Sequence, residues 1–230
     1  MPTETVNPRW PEILSLTAHE FRSPLTVVAG YLRMLLRDSA GPVTDQQRRL
    51  LEHAENSCNR LSALVAEVSE LSKLEGGSAT FNRRDLNLRE LLHQVTDALP
   101  PPTERDIKVE LETASGRATV AGDAARLSGA FTSLILGLRR ELVRSDRLLI
   151  RESVRQLNGT KVSWIAIGDE GRIDSLSTAE LPELTTFDEW RGGCGLSLAI
   201  ARRIITAHDG EIWSPADAPK AGAALAIPLK

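Results

Sequence analysis

His19 stands in a run of side chains that together could perform nucleophilic chemistry. It is followed at once by a carboxylate, Glu20, and then by Arg22, Ser23 and Pro24. Histidine titrates near neutral pH, so its neutral imidazole is available as a nucleophile. Glu20 is placed to orient the ring or to take its proton. A lone histidine on a helix is usually a surface or core residue, but this order of neighbours favours reactive chemistry at His19.

The remaining histidines and the cysteines lack such neighbours. His53, His93 and His208 are interpreted as surface or core residues. Cys58 and Cys194 are isolated and have no metal-ligand spacing, which favours a reducing cytoplasm. No metal site is expected.

Composition limits the classes of function. The chain has 230 residues, 41% of them hydrophobic, which is enough for one large domain or two small ones. A net charge of −3 gives no bulk attraction to nucleic acid or anionic lipid. No stretch approaches the roughly 18 apolar residues of a membrane span, and the N-terminus lacks the pattern of a signal peptide. The expectation is a cytoplasmic protein without a membrane span or nucleic-acid partner.

The run around His19 resembles the phospho-accepting H-box of bacterial sensor histidine kinases, commonly written His-Glu-Leu-Arg-Thr-Pro-Leu. The positions that match it are His19, Glu20, Arg22, Pro24 and Leu25, with Phe21 and Ser23 as mild replacements. The resemblance implies that His19 accepts a phosphoryl group on the ring nitrogen distal to the backbone. It implies that Glu20 holds or deprotonates the other nitrogen. Ser23 takes the position where a Thr or Asn can place water for dephosphorylation of a response regulator.

Two heptad patterns predict a helical hairpin in residues 1–76. One consists of Leu14, Phe21, Leu25, Val28, Leu32 and Leu35, and the other of Leu50, Ala54, Ser57, Leu61, Leu64, Val68 and Leu71. Turn residues separate them, and Thr44 with Gln47 forms a capping box for the second helix. Two helices cannot enclose a core alone, so a homodimeric four-helix bundle is expected. The alternative is that both heptad faces pack onto the rest of the chain.

Pro24 lies inside the first helix. It removes a backbone donor and clashes with the carbonyl of Glu20, which loosens the helix one turn from His19. His19, Ser23 and Thr26 share one face by their spacing, and a phosphate donor or acceptor would meet them there.

Residues 77–230 alternate between helical and strand patterns after the linker Gly76-Gly77-Ser78. The predicted helices are 88–99, 123–143 and 196–207, and the predicted strands are 107–112, 118–121, 148–154, 161–167, 211–213 and 223–229. Asp123 can cap the second of these helices, and Asn158-Gly159 predicts a hairpin turn. Helices on one face of a mixed sheet make an α/β sandwich.

This second domain resembles the ATP-binding domain of histidine kinases, shared with gyrase and Hsp90-type ATPases. Gly122–Leu127 and Ala201–Trp213 match the family in residues that carry packing. Asp169 stands where the family binds adenine, followed by Gly171, and Gly193 and Gly195 resemble the second glycine box. These four residues are interpreted as a vestigial nucleotide site.

Four departures from the family pattern fall in that site. Gly137 replaces the asparagine that coordinates Mg²⁺, and Ile173 replaces the second glycine of the first glycine box. Only two residues separate the F-box-like Phe187–Trp190 from Gly193, too few for a lid over ATP. The segment 221–224 lacks the expected hydroxyl. No cofactor is therefore expected, and ATP with Mg²⁺ would bind only if the site still functions.

The sequence predicts an α+β protein. A dimeric hairpin bundle, residues 1–76, precedes a degenerate α/β sandwich of the histidine-kinase, gyrase and Hsp90 ATPase type, residues 77–230. The predicted function is histidine phosphotransfer on His19 to or from response-regulator receiver domains, with a partner histidine kinase as a further source of phosphate. One alternative is an active ATP-dependent sensor histidine kinase. The other is a non-catalytic dimeric scaffold or inhibitor of a kinase or regulator.

Overall fold

The computed structural model describes residues 9–101, 107–142, 145–191, 195–216 and 222–230. The chain divides into two compact units, with the boundary between Ala79 and Thr80. No helix among the described residues is long and apolar enough to cross a membrane.

The first unit is a hairpin of two long helices, as the heptads predict. Helix α1 spans Trp10–Leu36 and helix α2 spans Asp45–Glu75. The Thr44 hydroxyl accepts the Gln47 backbone N–H, and the Gln47 side chain accepts the Thr44 N–H, so the predicted capping box is confirmed. In the turn, Asp38 adopts a positive φ of 55° and pairs with Arg48 at 2.9 Å. These contacts close the connection between antiparallel helices.

Little apolar surface is buried between the two helices. The buried residues of the hairpin are Ala18, Ala29, Cys58, Leu71 and Ser72. Of the thirteen exposed large apolar side chains in the described part of the chain, eleven belong to this hairpin. The hairpin therefore leaves most of its apolar surface uncovered by its own helices.

The second unit contains a six-stranded mixed sheet and a two-stranded sheet. In chain order its elements are β1 Arg84–Asn87, α3 Leu88–Asp97, β2 Lys108–Thr113, β3 Thr119–Gly122, α4 Ala124–Glu141, β4 Arg147–Leu157, β5 Thr160–Gly168, α5 Ile173–Thr178, β6 Leu184–Thr186, α6 Ser197–Ala207, β7 Glu211–Pro215 and β8 Ala223–Pro228. The large sheet has the order β2-β4-β5-β8-β7-β6, and β1 pairs with β3. Strands β2 and β4 are parallel, whereas the other pairs are antiparallel.

Alternating residues of β5 face two different layers. Ser163 faces the layer of long helices, where its hydroxyl donates to Glu152 at 2.8 Å and Glu152 pairs with Arg89 of α3 at 2.6 Å. Trp164 faces the opposite layer and donates its Nε1–H to the Leu176 carbonyl of α5 at 3.0 Å.

The predicted helices and strands are all present, but β1, α5 and β6 were not predicted. Helix α5 packs on the sheet face opposite the long helices, where the sequence predicted no helix.

Candidate functional site

His19 lies on α1 with its side chain exposed to solvent, and Glu20 and Ser23 are exposed beside it. Helix α1 continues through Pro24, where the backbone has no N–H for the Glu20 carbonyl. The Thr26 hydroxyl donates to the Arg22 carbonyl at 2.8 Å. The predicted reactive residues therefore share an accessible stretch of one helix.

A stripe of exposed apolar side chains runs along α1 beside His19. At intervals of four residues, His19 is followed by Ser23, Val27 and Tyr31. Tyr31 is 63% exposed, Val27 is 55% exposed, and Met34 extends the stripe by a further turn. We call Val27, Tyr31 and Met34 the α1 stripe. Sequence reasoning missed it because these residues lie outside the heptad seam, although their 4, 3 spacing was a readable signal.

The heptad seam itself lines an apolar groove on another side of the hairpin. The groove has a volume of about 550 Å³. Its walls include Phe21, Leu25 and Val28 of α1 and Leu61, Leu64 and Val68 of α2. Phe21 is 56% exposed and Leu61 is 52% exposed, so this part of the seam opens outward, whereas Leu71 further along the seam is buried.

Asp169 and Gly171 lie in one turn at the end of β5. The Asp169 carboxylate accepts the Gly171 N–H at 3.1 Å, and its carbonyl accepts the N–H groups of Arg172 and Ile173 at 3.0 Å. These bonds start α5 where the family pattern has a second glycine. Gly195 is exposed just before α6, and Gly193 lies outside the described residues.

The residues at the position of the family's Mg²⁺ ligand do not fit that ion. Gly137 is buried in α4 and offers no side-chain oxygen, whereas Mg²⁺ prefers oxygen ligands. One turn later, the Glu141 carboxylate lies 3.3 Å from Nε of Arg191. Among the described residues there is no cluster of three or more His, Cys, Asp or Glu side chains that could hold a metal.

Burial and a nearby cation act on Glu141 in opposite directions. Burial is the larger effect and raises the pKa of the Glu141 carboxyl, while Arg191 favours the ionised form. The Arg191 guanidinium also stacks 4.7 Å from the centre of the Phe187 ring. The sequence predicted no role for Glu141 or Arg191, because nothing local connects residues so far apart in the chain.

Known proteins resemble both units. Residues 12–77 match the family described as the His Kinase A (phospho-acceptor) domain. The chain is 29% identical over 208 residues to Sensor protein VanS of Enterococcus faecium, covering 88% of this chain and 53% of that protein. It is 28% identical over 214 residues to the signal transduction histidine-protein kinase BarA of Escherichia coli K12, covering 87% of this chain and 22% of BarA.

Solved structures share the fold. The crystal structure of full-length ShkA in complex with AMPPNP aligns with a TM-score of 0.70 at 23% identity, covering 95% of this chain and 45% of that one. The Acinetobacter baumannii histidine kinase AdeS aligns with a TM-score of 0.54 at 20% identity, covering 92% and 97% of the two chains.

A phospho-acceptor hairpin followed by a mixed α/β unit defines the class of the sensor histidine kinases. Residues 12–77 match their His Kinase A (phospho-acceptor) domain, and the chain as a whole is similar to proteins of that class. It spans about half the length of VanS and about a fifth of the length of BarA.

Proposed function

We propose that this protein is a two-component phosphotransfer protein whose His19 exchanges a phosphoryl group with aspartates of response-regulator receiver domains. The observation that carries the proposal is an exposed His19 next to the exposed apolar α1 stripe. A receiver domain must reach the imidazole and also needs a surface to hold it there. Helix α1 offers both on adjacent turns.

In the proposed transfer, the neutral His19 ring attacks the phosphorus of an aspartyl-phosphate with its Nε2 lone pair. The N–P bond forms as the acyl phosphate P–O bond breaks, and the receiver's carboxylate leaves. Glu20 stabilises the proton on Nδ1, since positive charge develops on the ring during attack. The reverse transfer delivers the phosphoryl group to another receiver, and the exposed Ser23 hydroxyl places water for slow dephosphorylation.

We further propose that the chain's own ATP-dependent kinase activity is lost. Gly137 supports this, since phosphoryl transfer from ATP depends on a metal that bridges the phosphates. The Asp169 turn supports it as well, because its backbone is engaged in starting α5. The second unit then serves as a docking platform rather than as a phosphate source.

A homodimer is the proposed assembly. The groove between α1 and α2 is lined by the same seam that the heptads predict, and a second hairpin would cover it. Dimerisation and receiver binding would use different sides of α1, because the α1 stripe does not line the groove.

The test uses receiver domains that have been phosphorylated with labelled acetyl phosphate. Acid-labile label should appear on the full chain and vanish in His19→Gln. The matched control is His53→Gln, an exposed histidine on α2, which should retain the label. Label from γ-labelled ATP with Mg²⁺ and no receiver would instead identify a working kinase. If neither donor labels His19, the scaffold hypothesis is favoured.

A further inference from the structure

The Arg191 side chain bridges three elements of the second unit. Its Nε lies 3.3 Å from the Glu141 carboxylate at the end of α4, and its Nη2–H donates to the Gly222 carbonyl before β8 at 2.9 Å. Its Nη1 lies 3.4 Å from the Ser214 hydroxyl of β7. Only 8% of the Arg191 side chain and 17% of the Glu141 side chain are exposed. The guanidinium is thus an internal group with polar partners on several sides.

These partners border the region that the proposed function treats as a lost nucleotide site. Glu141 lies one helical turn after Gly137, so both belong to the same face of α4. Gly222 packs against the end of β5, since a methyl group at Gly222 would lie 2.7 Å from the Ile167 carbonyl oxygen and 3.5 Å from Cα of Gly168. Gly168 directly precedes Asp169. Arg191 therefore connects the Gly137 side of the region with the Asp169 side.

The segment that carries Arg191 is itself fixed. Phe187 is fully buried, and the buried Glu189 forms ion pairs with Arg202 at 2.9 Å and with Arg203, both on α6. The Asp188 N–H donates to the Ser214 hydroxyl at 3.3 Å. Contacts with α6 and β7 hold the residues before Arg191 in place, so the position of the Arg191 side chain is fixed as well.

We infer that Arg191 closes the described part of the vestigial nucleotide site, between Gly137 of α4 and the turn at Asp169, through its bridge between Glu141 and Gly222. This inference rests on the proposed function, in which that site has lost its kinase role. A nucleotide would have to break a nearly buried ion pair and would leave Glu141 uncompensated next to its phosphates, and both changes are unfavourable. The wild-type protein should therefore bind nucleotide far more weakly than the open site would.

The experiment measures binding of the fluorescent nucleotide TNP-ATP, in EDTA, to the full chain and to Arg191→Ala/Glu141→Gln. The double variant removes the side chain that fills the site and the charge that would repel phosphate. We expect its dissociation constant to fall by at least about tenfold. Cooperative thermal unfolding should establish that the variant is folded. Arg191→Gln/Glu141→Gln is a second variant that keeps side chains of similar size.

The matched control is Lys230→Ala/Asp85→Asn, which removes an exposed ion pair between Lys230 and β1 and should leave nucleotide affinity unchanged. An unchanged dissociation constant in a folded Arg191/Glu141 double variant would overturn the inference, as would tight binding by the wild-type protein. Transfer from phosphorylated receivers to His19 should be the same in all of these proteins. Loss of the proposed function would appear in that assay and not in nucleotide binding.

Discussion

His19 and His208 carry the same imidazole ring in opposite surroundings. His19 is exposed on α1, whereas His208 is only 3% exposed. The His208 Nε2 accepts the Asp123 N–H at 2.9 Å, and its Nδ1 lies 2.7 Å from the Ile204 carbonyl. A carbonyl oxygen only accepts hydrogen bonds, so Nδ1 must carry the proton and donate it. This pair of contacts selects the neutral ring and links the C-terminal end of α6 to the N-cap of α4. The interpretation of His208 as a structural residue is confirmed.

Acidification should destabilise the protein through His208. Burial lowers the pKa of this ring in the folded state, whereas in the unfolded chain it titrates near about 6.5. The unfolded state binds a proton where the folded state does not, so the free energy of unfolding falls as the pH drops below about 6.5. Urea unfolding between about pH 7.5 and about pH 5.5 measures this slope.

His208→Asn should flatten that slope while lowering stability at the higher pH. His53→Asn changes an exposed histidine of α2 and should keep the wild-type slope. If the slope persists unchanged in His208→Asn, the dependence comes from another group.

At the scale of elements, a buried ion pair holds α3 against the sheet. Arg89 of α3 donates to the Glu152 carboxylate of β4 through Nε at 2.6 Å and Nη2 at 3.2 Å. Its Nη1 donates to the carbonyls of Ser115 and Gly116 at 2.6 and 2.8 Å. With the Ser163 hydroxyl also donating to Glu152, the charges are fully compensated by hydrogen bonds.

Arg89→Met should lower the free energy of unfolding by about 3–5 kcal/mol, because it leaves Glu152 buried and uncompensated. Adding Glu152→Leu should recover much of that loss, since the apolar pair needs no compensation. Arg151→Met removes a pair of partly exposed ionic contacts and should change stability by less than about 1 kcal/mol. Urea unfolding of these variants measures the free energies. Equal losses in Arg89→Met and Arg151→Met would contradict the conclusion that the buried Arg89–Glu152 pair stabilises the fold more than exposed ionic contacts do.

Helix α1 contains Pro24 one turn after Glu20. Pro24→Ala restores a backbone donor for the Glu20 carbonyl, so the free energy of unfolding should rise by about 1–3 kcal/mol. If the loosened turn assists phosphotransfer, the rate of transfer to His19 should fall in the same variant. Ser15→Ala changes an exposed position of α1 without adding a donor and serves as control. If the free energy of unfolding of Pro24→Ala is equal to or below that of the wild type, Pro24 does not destabilise the helix.

For the whole molecule, the exposed seam of the hairpin predicts an assembly. Phe21→Glu places a carboxylate in the groove, where burial against a second hairpin would cost a desolvation penalty. The variant should therefore shift the molecular mass measured by light scattering from dimer to monomer. Tyr31→Glu introduces the same charge on the α1 stripe and should leave the dimer intact while weakening binding of receiver domains. A dimer that survives Phe21→Glu would place the interface elsewhere.

Local chemistry explains how much of the fold could be predicted. The capping box at Thr44 and the hairpin turn at Asn158-Gly159, with φ of 49° and 81°, involve residues that are neighbours in sequence. Periodicity predicted the long helices and strands, since those elements bury one face. Strands β1 and β6 and helix α5 are three to six residues long. Segments this short do not show a recognisable periodicity of apolar residues, so the sequence did not predict them.

The candidate site divides in the same way. The reactive grouping at His19 and the glycine at position 137 are visible in the sequence, because each depends on residue type within a short run. The outward direction of the heptad seam and the Arg191 bridge were not visible. The spacing of the α1 stripe was readable in the sequence, but its exposure was not. Arg89 and Glu152 are 63 residues apart, and Arg191 and Ser214 are 23 apart, so only folding brings them together.

The sequence by itself determined the hairpin and the order of the longer elements in the second unit, and it identified His19 as the candidate phospho-acceptor. Those properties follow from backbone propensity, apolar spacing and the chemistry of individual side chains, all of which act over a few residues. The tertiary structure alone decided which faces stay open and which charges meet. Packing determines both. A buried guanidinium and a buried carboxylate are stable only in contact with each other, and when they lie on different segments only the fold brings them together.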